Sequence, residues 1–167
     1  MTAIIEISKS SVLDEVYKQT AYIGKNKSLD GKITYYSIAA TGDNATMLER
    51  FWKEATAFTT GNLKQHIADI SITTRADETG REINPIPALA DPTEVLKITL
   101  TMPKTYSGNQ TKSINSSLYS YFVNYITSRW MAITSKEEAV YYEKYANISM
   151  EDVVNKLFNK QAPIRPT

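Results

Sequence analysis

His66 is the chain's only histidine, and at helical spacing it stands near Asn62, Asp69 and Ile70. An imidazole beside a carboxylate is the start of a general base or a metal site, but either needs more partners of the right type. One aspartate supplies only a fragment, so His66 reads as structural. Asp77, Glu78 and Glu82 could do paired-carboxylate chemistry, which requires rigid walls and a pocket. They fall in a stretch rich in proline and charge, where a solvated loop is the expected setting. Cysteine is absent, which excludes disulfides, thiolate nucleophiles and cysteine metal sites and fits a reducing cytosol. Glycine-rich phosphate loops, zincin helices and esterase elbows are missing as well. The sequence therefore offers no catalytic residue, no cofactor site and no metal ligand, and the expectation is a protein that is not an enzyme.

Tyrosine is the side chain in excess. There are eleven, and Tyr119, Tyr121, Tyr125, Tyr141, Tyr142 and Tyr145 fall on the last two expected helices. Their helical angles spread too widely for one core. Tyr121, Tyr125 and Tyr142 fit a buried stripe, whereas Tyr119 and Tyr141 point elsewhere. Tyrosine joins apolar area to a hydroxyl that tolerates water, which suits the rim of a small core and subunit contacts alike. Stacking of nucleic-acid bases on these rings would need a basic groove, for which only Lys112, Arg129, Lys136 and Lys144 are at hand. The end of the chain, 161–167, contains Pro163 and Pro166 and must be extended. It is either a frayed terminus or an arm that lies on a neighbouring subunit, with Ile164 as apolar anchor and Arg165 as a contact for carboxylate or phosphate. Tyr119, Tyr141, Tyr145, Ile164 and Arg165 are thus the candidate subunit-interface residues.

The elements behind these residues follow from periodicity. A helix should run from Ser11, with Ser10 or Ser11 as cap, through Val12, Val16 and Ile23 and stop near Gly24. The run 33–40 could be an edge strand or an irregular cover. Thr41 to Asn44 caps a second helix whose stripe Met47, Leu48, Phe51, Trp52, Ala55, Phe58, Leu63 and Ile67 must be buried, with a kink or break possible at 59–61. The period then changes to two over Ile70 to Thr74 and Leu96 to Met102, giving two strands joined by an exposed loop at 76–92. A third helix spans about Ile114 to Ile133. Ser135 and Glu138 form a capping box for a fourth that continues to Phe158, so these two should make an antiparallel hairpin. The sum is an α+β fold, mainly α: a single domain over 1–167, with about four helices, a two-stranded antiparallel element, the long loop and the C-terminal arm.

Charge adds exclusions. The chain is 167 residues long with net charge +1, and neither part has the basic excess of a general nucleic-acid binder: 10 basic against 11 acidic residues up to Ala90, then 9 against 7. Met1 to Ile7 lacks the basic start and long apolar run of a leader. Asn124 and Arg129 interrupt the apolar stretch 119–133, so no membrane span is expected.

Several strings carry a family resemblance: Leu13-Asp-Glu-Val-Tyr17 with Tyr22-Ile-Gly24, Leu48-Glu-Arg-Phe-Trp-Lys-Glu-Ala55, Arg129-Trp130, Glu138-Ala-Val-Tyr-Tyr142, and Leu157-Phe158 leading to Pro163-Ile-Arg-Pro166. Together they resemble small virion proteins of tailed phages of gut Bacteroidetes, the crAss-like phages included, and more loosely the helical head-to-tail connector family. The resemblance spans the helices and leaves the strands and the loop unassigned. It implies a non-enzymatic subunit of a homo-oligomeric ring at the portal, neck or tail, made in the host cytoplasm and carried in the virion, with portal or tail proteins as neighbours. The pair of strands departs from the all-helical connector pattern and leaves the station in the virion open. The other reading is a nucleic-acid-binding accessory protein.

Overall fold

A computed structural model describes residues 1–29, 35–74, 94–103, 106 and 108–158. Strand β1 (Thr2–Ser8) runs straight into helix α1 (Lys9–Leu29), followed by a one-turn helix α2 (Tyr35–Ile38) and a 3-10 turn (Gly42–Asn44). Helix α3 (Ala45–Asn62), strands β2 (Ile67–Thr74) and β3 (Glu94–Thr101), and helices α4 (Asn109–Thr134) and α5 (Lys136–Phe158) complete it. The class is α+β, mainly α, as expected. The strand count is corrected: the antiparallel sheet has three strands in the order β1-β3-β2, not two. The first strand was written in plain alternation, since Ala3, Ile5 and Ile7 are buried while Ile4 and Glu6 are exposed.

Register aligns the apolar side chains in rows. Ile5 lies beside Ile98, which lies beside Ile70, and Ile7 beside Leu96 beside Ile72. Leu96, Ile98 and Leu100 of the central strand are fully buried beneath the helices. The opposite face carries the exposed Ile4 and Glu6 and the half-buried Lys97 and Thr99, so among the described residues the helices cover one side of the sheet. Helix α4 is the spine of the covering layer: α1, α3, α5 and β1 all pack against it. Its Ile114, Leu118, Phe122 and Ile126 are fully buried. Phe122 meets Trp52 of α3 at 4.9 Å between ring centroids.

Helix boundaries depart from the periodicity reading in instructive ways. Helix α1 continues through Gly24 to Leu29. The glycine serves close approach and not termination, because a Cβ there would lie 3.0 Å from the Tyr35 carbonyl oxygen. Within 33–40 the described residues form α2 and a buried Ile38-Ala39-Ala40 stretch, an irregular cover and not an edge strand. The Ala40 amide donates to Thr20 Oγ1 at 3.0 Å, and Trp130 Nε1 donates to the Ile38 carbonyl at 2.6 Å, which pins that cover to α1 and α4.

At the start of α3 the Thr41 amide donates to Asn44 Oδ1 at 3.0 Å. No break forms at 59–61; the helix ends at Asn62, with Leu63 buried just beyond. Met47 and Phe58, expected on the buried stripe, are exposed, and Ile67 belongs to β2. Helix α4 begins at Asn109, earlier than expected, and its Ile133 is exposed. Ser135 alone separates α4 from α5, and the two pack as the expected antiparallel hairpin. The 76–92 loop and the 161–167 arm lie outside the described residues.

Candidate interaction surface

The polar groups that the fold buries are framework. Lys9 falls one step beyond Ala3, Ile5 and Ile7 on the inward side of β1, and it is only 1% exposed. Its ammonium meets Glu49 of α3 and lies 3.2 Å from Glu94 Oε2 of β3. The Trp52 indole donates to the other Glu94 oxygen at 2.8 Å. Glu49 Oε2 meets the ammonium as an ion pair without hydrogen-bond alignment. One lysine thereby ties the β1–α1 joint to α3 and to the first residue of β3. Sequence reading overlooked it, although the parity of β1 already put position 9 inward. On the other flank Glu54 of α3 takes Arg129 Nε at 3.2 Å and the Tyr125 hydroxyl at 3.4 Å from α4. Burial first, and then the Glu54 charge, push the Tyr125 phenol above its usual range.

Helix α5 is held at both ends. Near its start Lys27 of α1 donates to Ser135 Oγ at 3.0 Å and lies 3.5 Å from Glu138, so the two residues read as a capping box are both engaged by α1. Near its end Ser117 of α4 donates to Asp152 at 2.5 Å, and Lys156 bonds Asp152 and, at 2.7 Å, Ser117. Hydrogen bonds from Lys156 and Ser117 hold the Asp152 carboxyl below the usual carboxylate range. Between the clamps Ala146, Met150, Val153 and Leu157 face inward.

The outward side of α5 is unusually apolar for an exposed face. Val140 is 68% exposed, Tyr141 53%, Tyr145 42% and Ile148 47%. Tyr141, Tyr145 and Ile148, at spacings of four and three residues, run together along the helix, and Val140 is turned about 100° from Tyr141 on the same outward side. The Tyr141 and Tyr145 rings lie 4.6 Å apart, and a hydrogen bond with Tyr145 pushes the Tyr141 phenol above its usual range. Single exposed apolar residues need no explanation, whereas grouped ones on one element are the feature to account for.

Of the expected interface residues, the structure brings Tyr141 and Tyr145 together. The Tyr119 hydroxyl donates to the Ser11 carbonyl at 3.0 Å and lies 3.2 Å from Ser11 Oγ, so this half-buried side chain fastens α4 to α1. Ile164 and Arg165 lie outside the described residues. Val140 and Ile148 were missed as surface residues, because a polar helix hides an apolar row unless both faces are tested. His66 sits in the turn before β2, its ring edge against Phe158 at 4.8 Å between centroids. The hollow it lines, about 290 Å³, also takes in Asn62, Lys64 and Val154, and among the described residues no carboxylate lines it. Asp69 is exposed on β2. Asp77, Glu78 and Glu82 are outside the described residues. Among the described residues no cluster of acidic, histidine or cysteine side chains suited to a metal is present.

Arg129, one of the cations considered for a basic groove, pairs with Glu54, as Lys27 does with Glu138 and Lys156 with Asp152. None of the described helices is long and apolar enough to cross a membrane. No protein-family model, no curated protein and no solved structure matches the chain.

Proposed function

We propose that this chain is a non-catalytic assembly subunit that joins copies of itself through the outward face of α5. The observation that supports this is the exposed row Val140, Tyr141, Tyr145 and Ile148 on a helix whose other side is already packed. Tyrosine with aliphatic neighbours is a common composition at protein interfaces. Glu137, Lys144 and Glu151, each exposed and seven residues apart, form a charged stripe on the same outward face, between Val140 on one side and Tyr141, Tyr145 and Ile148 on the other.

That charge order argues against a twofold pairing of α5 with itself. Two antiparallel copies centred on Lys144 would set Glu137 against Glu151 and lysine against lysine, an unfavourable match. A head-to-tail contact avoids it, and head-to-tail contacts close into rings when the rotation permits. The second surface such a contact requires has a counterpart in the exposed Tyr22 of α1 and Tyr36 of α2. With the resemblance to connector proteins, the reading becomes a ring subunit at the portal, neck or tail of a phage virion.

Native mass spectrometry and sedimentation of the full chain test it. The expected result is a closed oligomer that Tyr141→Ser with Ile148→Ser reduces to monomer without loss of helicity. A monomer at all concentrations, which also fails to bind portal or tail proteins, would overturn the reading.

A further inference from the structure

A second surface, separate from the α5 face, lies at the free edge of β1. Among the described residues the strand has one neighbour, β3, so its other edge is open to pairing. Beside it is a polar hollow of about 390 Å³, lined by Glu6 and Ser8 of β1 and by Lys112, Asn115 and Tyr119 of α4, among others. Glu6 and Ser8 belong to the uncovered face of the sheet, whereas α4 lies over the covered face. Residues from both faces can line one hollow only around the rim of the sheet. The β3 side is closed, so the hollow lies at the free side of β1, where the strand passes into α1 at Ser8 to Ser11.

Part of its lining is uncommitted. Ser8, Ser11 and Tyr119 bond to one another locally, but Glu6, Lys112, Asn115 and Ser116 make no side-chain hydrogen bond or ion pair in the described structure. Opposite charges that line one hollow without meeting leave room for a ligand that carries both. An edge strand walled by a helix, with one acid and one base in reserve, suits an extended peptide that adds to the sheet.

The geometry points to the free edge of β1 as a docking site for an extended partner peptide. That peptide pairs its backbone with β1 and sets a basic side chain against Glu6 and an acidic one against Lys112. Alternation specifies the order. A strand added beside β1 turns successive side chains to opposite faces. The residue facing Glu6 on the open side must therefore be basic, and a residue next to it in sequence, turned toward α4, must be acidic. Asn115 is placed to serve the acidic group or the peptide's own amides.

The test uses the full chain and two synthetic peptides, acetyl-Val-Lys-Glu-Lys-Val-amide and its charge-swapped counterpart with Glu-Lys-Glu at the centre. The first should bind in NMR titration, shift amides in β1 and the first turns of α4, and slow hydrogen exchange at alternate β1 amides. The charge-swapped peptide should bind more weakly, and N-methylation of alternate amides in the first should abolish binding. Glu6→Gln and Lys112→Gln, both at exposed positions, should each weaken binding about threefold to fivefold, as expected for an exposed ion pair. The proposal is overturned by no binding at millimolar peptide, by shifts located elsewhere, by equal binding of the two charge orders, or by an N-methylated peptide that binds as well as its parent.

Discussion

Lys9→Met is the most exacting single perturbation of this fold. Methionine keeps the length of the aliphatic stem and its packing but removes the ammonium from between Glu49 and Glu94. Lysine at this position is 1% exposed, while its two partners retain 20% and 16%. Breaking a buried ion pair by removing one partner costs roughly 3–5 kcal/mol, because the remaining charge is left without compensation. Water reaches the two carboxylates in part, which places the expected loss near the lower bound, about 3 kcal/mol. For a chain of this size each kcal/mol lowers Tm by about 2–4 °C, so Lys9→Met should melt about 6–12 °C below the parent. Urea unfolding followed by far-UV circular dichroism gives the free energy, and calorimetry gives Tm. Adding Glu49→Gln to the methionine variant should recover part of the loss, since one of two crowded charges is gone, and the cycle measures their coupling. A loss under about 1 kcal/mol would refute the reasoning, for the cluster would then behave as an ordinary surface pair.

Three further outcomes follow from the same structure. Gly61→Ala has open space and improves helix propensity, so it should raise stability by about 0.5–1 kcal/mol in urea unfolding, while Gly24→Ala should lower it because its Cβ would meet the Tyr35 backbone at 3.0 Å. Tyr119→Phe should cost about 0.5–1.5 kcal/mol through its bond to Ser11 and leave the oligomer measured by native mass spectrometry unchanged. The Asp152 carboxyl is depressed in the folded state, so its contribution is present above the unfolded value of 3.8 and lost as pH falls through the lower folded value. Chemical unfolding at stepped pH should show this acid-side loss, and Asp152→Asn should flatten it.

Legibility in the sequence followed the kind of signal. The α4–α5 hairpin was readable because Leu118, Phe122, Ile126 and Trp130 repeat at the helical period and all are buried. β3 was readable because Leu96, Ile98 and Leu100 alternate with polar residues. β1 carried the same alternation over a shorter run at the end of the chain, where the apolar residues were weighed only as a possible leader. Gly24 misled because helix propensity is local, while the close approach of Tyr35 that the glycine permits is tertiary. The same applies to Tyr119: its helical angle points away from the main stripe, but α1 lies in that direction and receives its hydroxyl. Tyr141 is legible as outward from its helical angle, whereas the exposure of Tyr145, Val140 and Ile148 requires knowing which side α4 covers. Lys9 shows the limit most clearly, since its two carboxylate partners are 40 and 85 positions away in the chain.

The lone Ser135 between α4 and α5 fixes which way the outward face of α5 points. A helix turns 100° per residue, so the length of that connection sets the angular phase of α5 about its own axis. One residue inserted there would either drag the exposed aromatic row sideways or break the clamps at Lys27 and Asp152. The bearing along which a neighbouring copy could attach is therefore encoded in the shortness of a turn that touches no neighbour, as well as in the side chains that would meet one.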